Sequence, residues 1–206
     1  MEPIPAPAQE RLLRLMRVLE QQRFPEPQRT LTSNQAAALT GWPGHTIRKD
    51  ISYLEGDFGG VGGYEPERLI RGIRQALGLD RRRRVCVVGL GRLGSAYLNV
   101  RAFEPEEFEL IAGFDSNVNR VEILRSPVPL YPAYKMGEVI RRFSVEMALL
   151  CVPEEAAQGA AQRLAEAGIR GILNFAPVIL ALPPDVSVRN VYVADELRAL
   201  AVKMGP

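Results

Sequence analysis

Histidine is almost missing from this chain: His45 is the one copy, and lysine stands only at Lys49, Lys135 and Lys203. An oxidoreductase must move a proton through such a group, usually His, Lys or Tyr. The one histidine lies far from the glycine-rich turn described below, and Lys135, Tyr97 and Tyr192 have no evident partners. No H-E-x-x-H, nucleophile elbow or carboxylate constellation offers a substitute, so the chain reads as a protein that does no catalysis and holds no metal. Cysteine is also scarce. Cys86 in VCVVG and Cys151 in ALLCVP lack C-x-x-C spacing, which argues against zinc and redox exchange and leaves both as small hydrophobes in strands. No apolar run nears the roughly 20 residues that span a bilayer, and MEPIPAPAQE carries no signal core. A cytoplasmic protein without a membrane partner is expected.

An excess of one charge is lacking too. The 26 Lys and Arg against 24 Asp and Glu leave +2, too little to argue for nucleic-acid binding without a placed motif. The cations are mostly arginine, a rigid fork of donors suited to phosphate. With 47% hydrophobic residues the chain is a packed protein rather than a disordered one, and 206 residues allow one large or two modest domains.

Three helices open the chain. Residues 9–22 place Leu12, Leu15, Met16 and Leu19 on one face; the loop FPEPQRT then leads to a short helix over 33–40. Gly41-Trp42-Pro43-Gly44 forces a turn into a third helix, and helix, tight turn, helix is the layout of a DNA-reading module. On that third helix Ile47, Ile51 and Leu54 recur at i, i+4 and i+7 and point inward. His45, Arg48, Lys49 and Ser52 fall on the opposite face, suited to phosphates and base edges. Asp50 lies off that face and is expected to pair with an arginine of the first helix. The stretch 56–63, GDFGGVGG, is too glycine-rich to pack; it reads as a wing tip or as a domain linker. Residues 64–79 return to helical spacing, and the run 81–84, RRRR, reads as a solvated helix end that neutralises the negative C-terminus.

From there strands alternate with helices. Strands are expected at 85–88, 109–114, 147–152, 171–175 and 188–193, and helices at 93–100, 137–143, 154–167 and 195–204. This alternation specifies an α/β domain with a doubly wound parallel sheet. Within it, VCVVGLGRLGSAYL carries Gly89, Gly91 and Gly94 between a strand and a helix, where bare backbone can approach a dinucleotide pyrophosphate at the helix N-terminus. Arg92 adds positive charge. Asp115 stands 21 residues after Gly94 at a strand end, placed to accept ribose hydroxyls and to favour NAD(H) over NADP(H), with Arg120 nearby as a counter-influence. Val152-Pro153 and Asn174-Phe175-Ala176-Pro177 follow later strands and complete the pocket. Asn174 is either a carboxamide partner or a turn-starting residue.

Taken together, TIRKDISYL, VVGLGRLGSA, GFDSN, CVPEEAAQ and GILNFAPV resemble the Rex family of bacterial redox-sensing repressors, over residues 9 to 193 or so. The resemblance implies a homodimer that binds a double-stranded DNA operator through an N-terminal winged helix-turn-helix and NAD(H) through a Rossmann-type domain, with NADH releasing the DNA. On this reading residues 1–80 form the DNA-binding domain, 81–194 the NAD(H)-binding domain, and 195–206 a C-terminal helix available for dimer contact. The implied nucleotide positions are Gly89, Gly91, Arg92, Leu93, Gly94, Asp115, Val152, Pro153, Asn174, Ala176 and Pro177; the implied DNA positions are Arg48, Lys49 and Ser52. Arg17 matches a first-helix arginine that couples the domains in this family. There are departures. Gly60 replaces a wing arginine beside the acidic Glu55 and Asp57, Val100 and Tyr192 stand where the other two coupling residues are expected with Asp195 close by, and Val193 replaces a phenylalanine. Two other readings remain: a small NAD-dependent oxidoreductase, and a Rex-like DNA-binding protein with lost or altered redox control.

Overall fold

The computed structural model describes residues 3–21, 30–60, 62–99 and 107–205, which fall into two compact units, the first ending at Arg81 and the second beginning at Arg82. In the first unit, α1 (Ala6–Gln21) starts earlier than its apolar spacing suggests, because the Pro5 carbonyl accepts from the Ala8 and Gln9 amides. It buries Ala8, Leu12, Leu15, Met16 and Leu19. Helix α2 (Ser33–Thr40) opens on a capping box, in which the Thr32 hydroxyl accepts from the Gln35 amide while the Gln35 side chain accepts from the Thr32 amide. It stops at Gly41, whose φ of 77° suits the left-handed cap. Helix α3 (Gly44–Ile51) follows across Trp42-Pro43, and Leu54 is buried although it lies beyond the last turn of α3.

Asp50 is 3% exposed and accepts two bonds from Arg11 of α1, at 2.6 and 2.7 Å, the pairing expected from sequence. The glycine-rich stretch is a wing. Strands β1 (Gly59–Gly60) and β2 (Gly63–Tyr64) pair antiparallel, and Tyr64 exchanges both backbone bonds with Leu31, so the linker alternative falls. Nor is the stretch unable to pack: Phe58 is buried in the core. Helix α4 (Pro66–Ala76) accommodates it with Gly72, where a Cβ would come within 2.2 Å of the Phe58 ring. That helix is shorter than 64–79 because Tyr64 belongs to the wing and Pro66 fixes the first turn.

The second unit is a six-stranded parallel sheet in the order β5-β4-β3-β6-β7-β8. Its strands are β3 (Arg83–Val88), β4 (Phe108–Asp115), β5 (Leu130–Pro132), β6 (Met147–Leu150), β7 (Gly171–Asn174) and β8 (Ser187–Asn190). Helices α5 (Arg92–Asn99), α6 (Val118–Ile123), α7 (Met136–Phe143), α8 (Glu154–Ala167) and α9 (Val193–Met204) connect or follow them. Alternation along β3 sends Cys86 and Val88 to the face covered by α7 and α8, and Val85 and Val87 to the face shared with Leu98 of α5. Strand order reverses between β3 and β6, so their carboxyl ends flank a crevice.

Several expectations need correction. Strand β5 and helix α6 were not foreseen, since a three-residue strand ending in proline and a six-residue helix carry too little periodicity to read. The expected strand 188–193 ends at Asn190; Tyr192 becomes the N-cap of α9, whose first turn holds Asp195 and Glu196 against its positive end. The arginine run is no helix end. Arg83 and Arg84 belong to β3, where Arg83 pairs with Glu146 at 3.1 Å and Arg84 donates to the Phe143 carbonyl at 2.8 Å. Val100, the expected end of the helix at 93–100 and one coupling position, lies outside the described residues, as does Gln22.

Candidate dinucleotide cleft and nucleic-acid interface

The three glycines of the turn after β3 are there for different reasons. Gly89 has φ +88°, and a Cβ there would lie 2.5 Å from the Cys151 carbonyl oxygen. A Cβ on Gly94 would sit 1.8 Å from the Gly89 carbonyl oxygen, so that glycine lets α5 lie close against the strand. Gly91 differs, because a Cβ there meets nothing within 4 Å. Its carbonyl accepts the first bond of α5 from Ser95 at 2.9 Å, which makes it the helix's N-cap. No fold constraint keeps the Gly91 side chain absent; the space it leaves open is the cleft at the helix N-terminus.

That cleft encloses about 520 Å³, within the range of cofactor sites. Gly89, Gly91, Arg92, Leu93, Asp115, Arg120, Val152 and Pro153 line it, as the sequence led us to expect. Asp115 is 4% exposed and already engaged: its oxygens accept from the Leu90 amide at 2.7 Å, the Asn117 amide at 2.7 Å and Arg120 Nη1 at 3.0 Å. A carboxylate offers about four acceptor positions, so about one remains for a ribose hydroxyl. The residue is therefore first a latch that ties the glycine turn to β4. Its ion pair with Arg120 also weakens the repulsion of a 2′-phosphate on which NAD(H) preference was argued.

Other positions depart from expectation. Gly94 is buried behind the turn and does not line the cleft. Asn174 is fully buried, and its amide donates to the Ala176 carbonyl, the Val178 carbonyl and Asn190 Oδ1 while its oxygen accepts from the Ala176 amide. With its amide spent on the loop and on Asn190 of β8, Asn174 is the turn-starting residue and not a free carboxamide partner. Ala176 is buried and Pro177 exposed on that loop, and neither lines the 520 Å³ cleft. Conversely, Ser116, Met136, Ala156, Ala160 and Arg163 do line it. Ala156, Ala160 and Arg163 recur at i, i+4 and i+7 of α8, a signal readable in EEAAQGAAQR but overlooked. Cys151 forms part of the wall; burial pushes its thiol and that of Cys86 up to about 12, so both stay protonated near neutrality.

In the first unit, His45, Arg48, Lys49 and Ser52 are all exposed while Ile47 and Ile51 are buried. Helix α3 thus presents the anticipated polar face. Ser52 caps the helix, its hydroxyl donating to the Lys49 carbonyl at 2.7 Å. Arg48 Nη1 donates to the Ser33 hydroxyl at 2.7 Å, a partner not anticipated. In the wing, Glu55 and Asp57 are exposed, and Asp57 accepts from the Gly59 amide. Arg17 projects exposed from α1, and Asp195 pairs with Arg198 on its own helix.

Comparison with known proteins places this geometry. Residues 80–178 match a family model described as a CoA binding domain. The redox-sensing transcriptional repressor Rex of Thermus thermophilus is 41% identical over 194 residues, covering 91% of this chain and 88% of that one. The crystal structure of RSP in complex with beta-NAD+ and operator DNA has TM-score 0.84 at 31% identity and covers 98% of this chain and 92% of its own. RSP in complex with beta-NADH gives TM-score 0.85 at 29% identity, covering 99% and 95%. RSP is a Rex-family repressor. These relatives are regulators rather than enzymes. No described helix is long and apolar enough to cross a membrane.

Proposed function

The chain belongs to the Rex family of redox-sensing transcriptional repressors, and from that premise we propose that it represses transcription from operator DNA in the cytoplasm and is released when NADH binds. The observation that carries the nucleotide half is Gly91, a glycine with no packing reason to be one, at the mouth of a cofactor-sized cleft. The Gly91 backbone and the free amides at the start of α5 hold the pyrophosphate, with Arg92 adding charge. Asp115 offers its remaining acceptor to a ribose, and Val152 and Pro153 close the β6 side. The exposed face of α3, His45, Arg48, Lys49 and Ser52, meets the duplex. Gly60 leaves the wing without a cation for the minor groove.

The protein works as a homodimer. Helix α9 carries Leu197, Leu200 and Met204 at 54–77% exposure with no buried residue of its own, a surface that a second copy covers. Repression responds to redox state only if the DNA-competent and released arrangements bind NADH with different free energies, since equal affinity shifts nothing. Arg17 of α1 is the candidate residue for carrying that difference. The test is a titration of a palindromic operator duplex with NADH and, separately, NAD+ at fixed salt, because counterion release alone changes apparent affinity steeply. NADH should release the duplex and NAD+ should not. Operator affinity unmoved by saturating NADH refutes redox control, while substrate turnover without DNA affinity refutes the regulator.

A further inference from the structure

Among the described residues, Arg48 is the one cation on the exposed face of α3 whose side chain bonds to another side chain. Its Nη1 donates to Ser33 Oγ at 2.7 Å, fifteen positions away on α2. Ser33 has no role in capping its own helix, because Thr32 and Gln35 form the capping box. A third residue makes room for the contact. A Cβ on Gly44 would lie 3.2 Å from Asn34 Oδ1, 3.3 Å from the Ser33 carbonyl oxygen and 3.4 Å from Arg48 Nη1. Gly44 thus lets the start of α3 approach the start of α2, and the Arg48 guanidinium crosses between them to the hydroxyl.

An unrestrained arginine on a helix surface samples many rotamers, and ordering it costs entropy when it binds. One bond to Ser33 restricts that search in the free protein and leaves the other guanidinium donors unoccupied by it. We propose that Ser33 is a positioning residue for operator recognition, fixing the Arg48 guanidinium in the orientation that reads the operator. This rests on the DNA-binding reading given above and adds to it a residue outside the recognition helix. The bond supplies orientation and no charge. Its loss therefore acts on the specific complex, where donors must meet fixed acceptors, and spares non-specific binding, where a mobile cation near phosphates suffices.

The experiment measures affinity for a palindromic duplex selected by the wild-type protein from a randomised pool, and for a scrambled duplex, across a salt series. Full-length wild type, Ser33→Ala, Ser33→Thr, Arg48→Ala and the double variant Ser33→Ala with Arg48→Ala are compared. Ser33→Ala should weaken operator binding roughly three- to tenfold, with scrambled-duplex affinity, salt slope and melting temperature unchanged. Ser33→Thr, which keeps a hydroxyl, should restore it. In the Arg48→Ala background, Ser33→Ala should cost nothing further. An equal loss in both backgrounds, a loss matched on scrambled DNA, or a loss that tracks a fall in melting temperature overturns the proposal while leaving DNA binding intact. Wild-type protein that selects no duplex, with Arg48→Ala equally indifferent, overturns the DNA-binding reading itself.

Discussion

Replacing Gly91 by alanine separates ligand binding from folding in the nucleotide-binding unit. The added methyl meets no protein atom within 4 Å, and Gly91 is not among the glycines with positive φ. Two small stability effects oppose each other: alanine is a poorer N-cap than glycine by a few tenths to about 1 kcal/mol, and it narrows the unfolded ensemble by roughly 0.4–1 kcal/mol. Net stability should therefore stay within about 0.5 kcal/mol of wild type. The methyl does stand at the mouth of the cleft, where a pyrophosphate must approach the amides that open α5. Losing one or two charge-assisted hydrogen bonds there, at about 1.5–3 kcal/mol each, weakens NADH binding by a factor on the order of 100. Calorimetric titration of NADH paired with thermal melts reads both quantities. Gly91→Ala that binds NADH within about threefold of wild type, roughly 0.7 kcal/mol, would falsify the assignment of the cleft; a variant that unfolds would refute the claim that this glycine is free of packing.

Three further outcomes follow from the geometry. Lys49→Ala should weaken operator and scrambled DNA alike and lower the salt slope by about one, as loss of a phosphate contact does; a fluorescence anisotropy salt series checks it, and an unchanged slope rules it out. Asp50→Ala removes the acceptor of both Arg11 bonds, and because Arg11 keeps 29% side-chain exposure the cost should be about 2–3 kcal/mol, at or below the usual range for a broken buried pair. Denaturant unfolding should show it, and Asp50→Leu combined with Arg11→Met should recover most of it. Cys86 is fully buried with its thiol pushed up to about 12 by burial. A raised thiol pKa means the native state holds its proton longer, so this contribution is whole below pH 9 and declines between about 9 and 12, by about 1.4 kcal/mol per pH unit. Alkaline unfolding of Cys86→Ala against wild type should isolate that slope; parallel curves over that window would show the thiol contributes nothing.

Much of this architecture was legible because it rests on period and spacing. Apolar recurrence marked α1 and α3, the continuous run VCVV marked a strand buried on both faces, and Gly89, Gly91 and Gly94 marked the turn that follows it. That Asp50 pairs with an arginine of α1 was readable as well, since an acid off the exposed face of α3 needs a cation on the neighbouring helix; that the arginine is Arg11 comes from the structure. Elsewhere local sequence was ambiguous. GDFGGVGG is compatible with a wing or a linker, and the pairing of β1 with β2 and the two bonds between Tyr64 and Leu31 decide between them. Nothing in RRRR says that Arg83 and Arg84 start β3, because their partners Glu146 and Phe143 lie some sixty positions away.

By itself, the order of residues determined the two classes of module, the turn between strand and helix, and which face of α3 is polar, because each depends on neighbours within a few positions. Tertiary structure alone decided what the functional side chains are free to do. Asn174 donates to its own loop and to Asn190 of β8, Asp115 has about one acceptor position left, and Arg48 is held by a serine of another helix. Hydrogen-bonding capacity is finite and is allotted among groups that only folding brings within 3 Å or so of each other, which no spacing along the chain reveals.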